Sequence, residues 1–304
     1  MWFKNARLYT VDFQDLLPIL KDPSLTEEAL EKAQFVPCEA QEVASIGFAP
    51  LFGPHTPFSF NYGPNYFFKL IEENKLLPSS VVKANLQELT EAKELELKRQ
   101  LRKNEKEALK AAVTNKLIAQ AFATRREYLI WCNTEKKIVA VSVTSAKRAE
   151  RALSMLREAF STFPAKLLAP HCLVDEKITS WLSDNQLPEG FKFGFETTLK
   201  SKDEDGGIIR ASKEDLTSEE IAVHLQAGKL ATEIGLNYKD AVEFTLTSDI
   251  CLKKIKPTDI YLEKNLPEKV DDEVADAQAL LTIQGEILEE LSDYLLEIFD
   301  CERA

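Results

Sequence analysis

Tyr128-Leu129-Ile130-Trp131, Asn133-Thr134-Glu135 and Ile138-Val139-Ala140-Val141 decide the fold class. Two apolar runs rich in β-branched and aromatic side chains flank a polar turn, which predicts an antiparallel hairpin over Glu127 to Val143. Ser145 then stands as a helix cap, and Ala149, Leu153, Leu156 and Phe160 recur at helical spacing as far as about Phe160. Strand, strand, helix returns further along. Phe191 to Thr197 and Gly207 to Arg210 read as strands before a helix opened by Thr217-Ser218-Glu219-Glu220. Val242 to Leu246 and Cys251 to Ile255 read as strands before an acidic amphipathic helix, Asp272 to Phe299. The apolar stripe of that helix is Leu281, Leu288, Leu291, Leu295 and Ile298. Alternation of this kind predicts an α+β fold with mainly antiparallel sheets.

Toward the N-terminus, Trp2 to Val11 reads as a strand. A short helix over Ser24 to Ala33 follows, with Ser24 and Thr26 as cap candidates and Glu27 and Glu28 suited to its dipole. Residues 47–66 form a Pro/Gly-rich loop, and Tyr66 to Ile71 a buried strand. After Pro78-Ser79-Ser80 a long helical stretch carries Val82, Leu86, Leu89, Leu97 and Leu101 near one face. Asn104 and Glu107 resemble a capping arrangement and divide it. The second half has Leu109, Val113, Leu117 and Ala121 on one face. The expected organisation is a central α+β region, 1–75 with 127–200, a protruding basic helical arm, 76–126, and a C-terminal α+β region, 201–304, ending in the acidic helix.

Charge is distributed unevenly along these regions. Lys98 to Arg126 holds Lys98, Arg99, Arg102, Lys103, Lys106, Lys110, Lys116, Arg125 and Arg126 against Glu105 and Glu107, in a chain of net charge -12. Residues 262–304 carry thirteen acids and three bases, and so account for -10 of that total. A cationic surface on an anionic chain points to a polyanion, most often nucleic acid. The plainer reading, a solvated helix face, is weakened because the run clusters with Lys116, Arg125 and Arg126. Lys and Arg heads on a helix reach phosphates without a sequence code, and no recognition-helix, finger or RNP signature is present.

No apolar stretch approaches the roughly 20 residues of a membrane span. Met1-Trp2-Phe3-Lys4-Asn5 opens without the long apolar run of a signal peptide. These features predict a soluble cytoplasmic protein with no membrane partner. Cys38, Cys132, Cys172, Cys251 and Cys301 are scattered without a CxxC pair, consistent with reduced structural thiols. Neither GxxxxGK[ST] nor GxGxxG occurs, and Gly206-Gly207 reads as a turn. His55, His171 and His224 lie in different segments, and His171-Cys172 lacks a spaced partner. No catalytic residue, metal ligand or cofactor is expected.

Two aromatic features admit two readings each. Phe58, Phe60, Tyr62, Tyr66, Phe67 and Phe68 could stack bases, although packing on the core is the favoured account. Phe122, flanked by Ala121 and Ala123 at the end of the basic arm, is either a core residue or an aromatic anchor between subunits.

Several blocks resemble the RdgC family of bacterial recombination-associated proteins. They are Met1-Trp2-Phe3-Lys4-Asn5, Phe35-Val36-Pro37-Cys38, Leu77-Pro78-Ser79-Ser80-Val81-Val82-Lys83, Ala121-Phe122, the run from Asp205 to Ile221, His224 and Ala227-Gly228-Lys229. The resemblance covers residue 1 to about 240 in order, and the acidic C-terminal region matches poorly. It implies an α+β chain that forms a ring-shaped homodimer with a basic hole for duplex DNA. The implied activity is DNA binding with little sequence preference that restrains RecA without catalysis, with double-stranded DNA as the partner and single-stranded DNA as a second candidate. A cytoplasmic, nucleoid-associated location follows.

By position, the resemblance assigns Phe122 to a dimer contact that gates the ring, with Arg99, Lys213 and Glu214 near the same closure. Where Glu214 stands, the family more usually carries Gln. A Glu there either pairs with Arg99 across the closure or weakens DNA contact. The DNA-facing set is Lys75, Lys83, Lys98, Arg99, Arg102, Lys103, Arg125 and Lys229, with a family Lys replaced by Gln100. The acidic helix is expected to face outward or to pack in the larger dimer contact. The alternative is a protein-interaction module that regulates a recombinase through the acidic C-terminal surface, which removal of residues 262–304 is expected to discriminate.

Overall fold

A computed structural model describes residues 2–203, 206–267 and 271–303. Met1 and Asp205, each part of a family-like block, lie outside them. The strands are β1 (Ala6–Val11), β2 (Ala44–Ala49), β3 (Ser59–Tyr62), β4 (Asn65–Lys75), β5 (Ala123–Asn133), β6 (Ile138–Val141), β7 (Ala165–Leu167), β8 (Phe191–Lys200), β9 (Ile208–Ser212), β10 (Leu230–Tyr238), β11 (Val242–Thr247) and β12 (Cys251–Pro257). The helices are α1 (Leu17–Leu20), α2 (Pro23–Lys32), α3 (Ser79–Leu97), α4 (Lys103–Gln120), α5 (Ala146–Phe160), α6 (Val174–Ser183), α7 (Glu219–Gln226), α8 (Asp259–Asn265) and α9 (Glu273–Ile298). The chain is α+β. It forms two compact units: Met1–Lys32, Pro50–Lys69 and Tyr128–Ala304 make the larger, and Ala33–Ala49 with Leu70–Glu127 the smaller.

In the larger unit the strand order is β4-β5-β6-β1-β12-β11-β10-β8-β9, with β3 on β4 and β7 on β1. Neighbours from β5 to β9 are antiparallel. The hairpin lies inside this sheet, and Tyr128 to Asn133 and all of β6 are buried, because helices cover both faces. Adjacent residues of β4 mark the two sides. Phe68 meets Phe160 of α5 at 6.0 Å between ring centroids. Phe67 belongs to the core that also contains Leu281, Leu288, Leu291 and Leu295 of α9. Gly285 lets α9 approach so closely that a Cβ there would stand 2.2 Å from the Tyr62 hydroxyl. Phe60, Tyr62 and Phe67 form one ring cluster on this side, so the aromatic loop packs on the core.

The acidic helix is therefore a core element of its own unit. Asp272 caps it by accepting from the Val274 and Ala275 amides. Ile283, Gln284, Gly285, Ile287, Ser292 and Leu296 are buried besides the expected leucines, while Ile298 is only half-buried. Its carboxylates look outward, but the helix itself does not present a free apolar face.

Other boundaries shift for local reasons. β1 begins at Ala6, four residues after the expected start. The cap of α2 is Asp22, which accepts from the Ser24 and Leu25 amides; Thr26 is buried and donates to the Ile19 carbonyl. Glu27 leaves the dipole role and accepts from the Phe58 and Ser59 amides and the Ser59 hydroxyl. The 47–66 loop contains the end of β2 and all of β3. β10 lies between β11 and β8, where its pattern is interrupted by Gly235. There the β8 pairing slips, and a Cβ on Gly194 would come within 2.9 Å of the Gly235 backbone.

In the smaller unit, β2 lies beside β4, and α3 and α4 form a two-helix hairpin. Its interior is thin: Leu101, Leu109 and Val113 are buried, with Leu86 and Leu117 packed against them. No residue of α3 is buried, and Leu89 and Leu97 of the expected stripe are exposed. The helices separate at Lys98 to Arg102, earlier than Asn104. Arg125 and Arg126 stand on β5 and not on a helix.

Candidate nucleic-acid interface

The turn between α3 and α4 is built around two carboxylates. Lys98 ends α3 in the left-handed region at φ 52°, which turns the chain back. Leu101 then plugs the hairpin, and its amide donates to Glu94 Oε1 at 2.8 Å. Glu105 accepts the Arg102 amide at 2.7 Å and so caps α4. The same carboxylate takes the Arg99 fork, with Nη1 to Oε2 at 2.9 Å and Nη2 to Oε1 at 2.7 Å. The Arg99 guanidinium and the Arg102 amide hold the Glu105 pKa down to about 2.

These contacts sort the expected binding residues. In the smaller unit, Lys98, Arg99, Arg102 and Lys103 come together at the turn. Arg99 is spent on Glu105, and Lys106 pairs with Glu94 at 3.5 Å. Arg125 Nε meets Glu73 Oε2 at 2.6 Å, and Lys75 Nζ donates to the Glu39 and Ala40 carbonyls. Lys83, Lys98, Arg102, Lys103, Lys110, Lys116 and Arg126 are exposed and make no ion pair with a described residue. Long-range attraction to a polyanion depends chiefly on such unneutralised charges.

Phe122 stands between α4 and β5 with its side chain 85% exposed. Its position is fixed by the backbone, since the Leu76 amide donates to the Phe122 carbonyl at 2.7 Å. It is not a core residue of this chain.

Lys213, Glu214 and Lys229 belong to the larger unit. Lys213 takes a left-handed φ of 62°, and the Glu214 amide donates to the Phe195 carbonyl. Lys213 lines an open groove of about 450 Å³ with Phe193, Phe195, Lys254 and Lys256. Lys229 Nζ donates to the Gly207 carbonyl at 2.8 Å. Thus Lys75, Arg99, Arg125 and Lys229 are each tethered within the chain. The pairing roles of Glu73 with Arg125, Glu105 with Arg99 and Glu94 with Lys106 escaped the sequence reading. Only the three-residue spacing from Arg102 to Glu105 carried a local signal.

All five cysteines are free thiols. Burial raises the pKa of Cys132 and, to about 11, of Cys251. Among the described residues no group of three or more His, Cys, Asp or Glu is placed to hold a metal ion, and no helix is long and apolar enough to cross a membrane.

The Glu105 clamp yields an expected result. If this surface takes a duplex, Glu105→Gln is expected to release Arg99, tighten binding and steepen its salt dependence by about one counterion. Salt-series fluorescence anisotropy reads both, and an unchanged slope would show that Arg99 lies away from phosphate.

Fold and surface together define an α+β protein with a large antiparallel sheet and a cationic two-helix hairpin. A family model described as "Putative exonuclease, RdgC" matches residues 1–302. The recombination-associated protein RdgC of Yersinia enterocolitica is 34% identical over 278 residues, covering 90% of this chain and 88% of that protein. The proteins of the same name from Yersinia pestis and Yersinia pseudotuberculosis have the same identity and coverage. The chain belongs to the RdgC family.

Proposed function

We propose that this protein is a nucleoid-associated, non-sequence-specific DNA-binding protein that closes as a ring-shaped homodimer around duplex DNA and restrains RecA-promoted recombination. The observation that carries this reading is the set of unpaired cations on the α3–α4 hairpin and the start of β5, on a chain of net charge -12. Those heads neutralise phosphates without reading bases. A coated duplex is then less available to RecA. We read the role as non-enzymatic, the coating of DNA and not its cleavage, although the family description prints the word exonuclease.

Ring closure rests on Phe122. An aromatic side chain so exposed, on a backbone so fixed, suits insertion into a second copy. The groove beside Lys213 is a fitting receptacle, because it offers the rings of Phe193 and Phe195. The large exposure of Phe195, at 68%, is removed by the same docking.

The test is a salt titration of a random-sequence duplex followed by fluorescence anisotropy. Tight binding that ignores sequence and falls steeply with salt is expected. No binding at low salt would overturn the reading.

A further inference from the structure

We propose that Glu73 and Phe35 act as positioning residues that hold Arg125 as a pre-oriented reader of a nucleic-acid backbone phosphate. The inference rests on the DNA-binding reading above, and deepens it by separating Arg125 from the other basic residues.

Glu73 is buried, with a side chain only 6% exposed, whereas Arg125 is 57% exposed. Both carboxylate oxygens of Glu73 are engaged. Oε1 accepts the Cys38 amide at 2.8 Å, and Oε2 accepts Arg125 Nε at 2.6 Å. The anchor therefore has a fixed orientation. Its pKa is lowered by the Arg125 and Cys38 hydrogen bonds, so it stays an anion at neutral pH. The Arg125 guanidinium carbon lies 5.4 Å from the centroid of the Phe35 ring, and this contact defines the guanidinium's place over the ring face.

The mode of pairing is the informative point. A guanidinium has five N–H donors. Arg125 spends only Nε, and among the described residues the paired Nη1 and Nη2 donors of the fork meet no hydrogen-bond partner. Arg99 is the counter-example on the same unit, since both of its Nη atoms are consumed by Glu105. A free fork matches the bidentate geometry of a phosphate. Because Glu73 and Phe35 have already restricted the side chain, little rotamer freedom remains to be lost on binding. The strand beneath is also fixed, as the Thr124 hydroxyl donates to the Asn74 carbonyl and the Lys75 amide to that of Val43.

Duplex affinity of the full chain, measured by anisotropy, tests the assignment with Arg125→Ala, Arg125→Lys, Glu73→Gln and Phe35→Leu, singly and with Arg125→Ala added to each of the last two. Arg125→Ala is expected to weaken binding several-fold and to lower the salt slope by about one. Arg125→Lys, which keeps the charge but has neither Nε nor the fork, is expected to recover little of that loss. In the Glu73→Gln and Phe35→Leu backgrounds the cost of Arg125→Ala is expected to shrink. Equal costs in all backgrounds, or full rescue by Lys, would overturn the proposal while leaving the clamp reading intact. Tighter binding by Glu73→Gln with a steeper slope would also overturn it, since Glu73 would then merely neutralise a surface charge. If the wild-type chain binds no duplex, both readings fall. Arg125→Lys leaves Glu73 in place and keeps a cation beside its carboxylate, so the outcome is readable even where Glu73→Gln does not fold.

Discussion

On the proposed ring, Phe122→Ala is expected to release closed circular DNA at moderate salt while the chain remains folded. The side chain is 85% exposed, so its removal opens no cavity. Ile118 accepts the Ala121 amide and Leu76 donates to the Phe122 carbonyl, so the backbone of the junction is held without the ring. What is lost is the anchor across the proposed closure. Truncation of a central aromatic anchor costs about 2 kcal/mol or more, roughly a thirtyfold shift toward the open ring. The measurement compares retention on plasmid and on linear DNA after a salt wash. Sedimentation and a thermal melt establish the oligomeric state and the fold. Retention on the plasmid equal to wild type would remove the gate from this position.

Removing residues 262–304 unfolds the larger unit, the second large effect. α9 supplies Leu281, Ile287, Leu288, Leu291, Leu295 and Leu296 to its core. It is also tied by the Tyr62 hydroxyl to the Thr282 carbonyl at 2.9 Å and by Lys136 to Asp293 at 2.6 Å. Leu291→Ala alone is expected to cost about 2–5 kcal/mol, because the fully buried side chain leaves a cavity beneath the sheet. Urea denaturation followed by far-UV circular dichroism measures it, and a cost within a few tenths of a kcal/mol would show that α9 is peripheral. The deletion therefore cannot separate DNA clamping from docking of a recombinase on the acidic surface. Charge removal can. Glu286→Gln with Glu297→Gln keeps the apolar side of α9 and alters only outward carboxylates. Loss of RecA restraint with unchanged DNA affinity would favour the docking account.

Where periodicity was strong, the elements were legible. Ala149, Leu153, Leu156 and Phe160 lie at helical spacing and all are buried on α5. The hairpin turn is held as its residue types suggest, with Asn133 Oδ1 accepting the Glu135 and Lys136 amides. β10 was not legible, because Gly235 interrupts its pattern and its stability comes from pairing on both sides with β8 and β11. α9 was legible as a helix but not in its setting. Carboxylates on one side and leucines on the other suit an outward helix and a core helix equally. Which one forms depends on the sheet that Tyr62, Phe67 and Trp131 build from distant parts of the chain.

The candidate site divides in the same way. Sequence alone determined that Lys98 to Arg126 is a cationic segment on an acidic chain, since charge is a property of composition. It also determined that this arm is helical and divided in two, though not where it divides or that the halves fold back as a hairpin. Only the tertiary structure decided which of those charges face solvent unpaired. Glu105 lies six residues from the Arg99 it holds, and Glu73 lies fifty-two from Arg125. No spacing rule predicts the second pair, because strand register creates it by bringing a carboxylate from another part of the chain within hydrogen-bond distance.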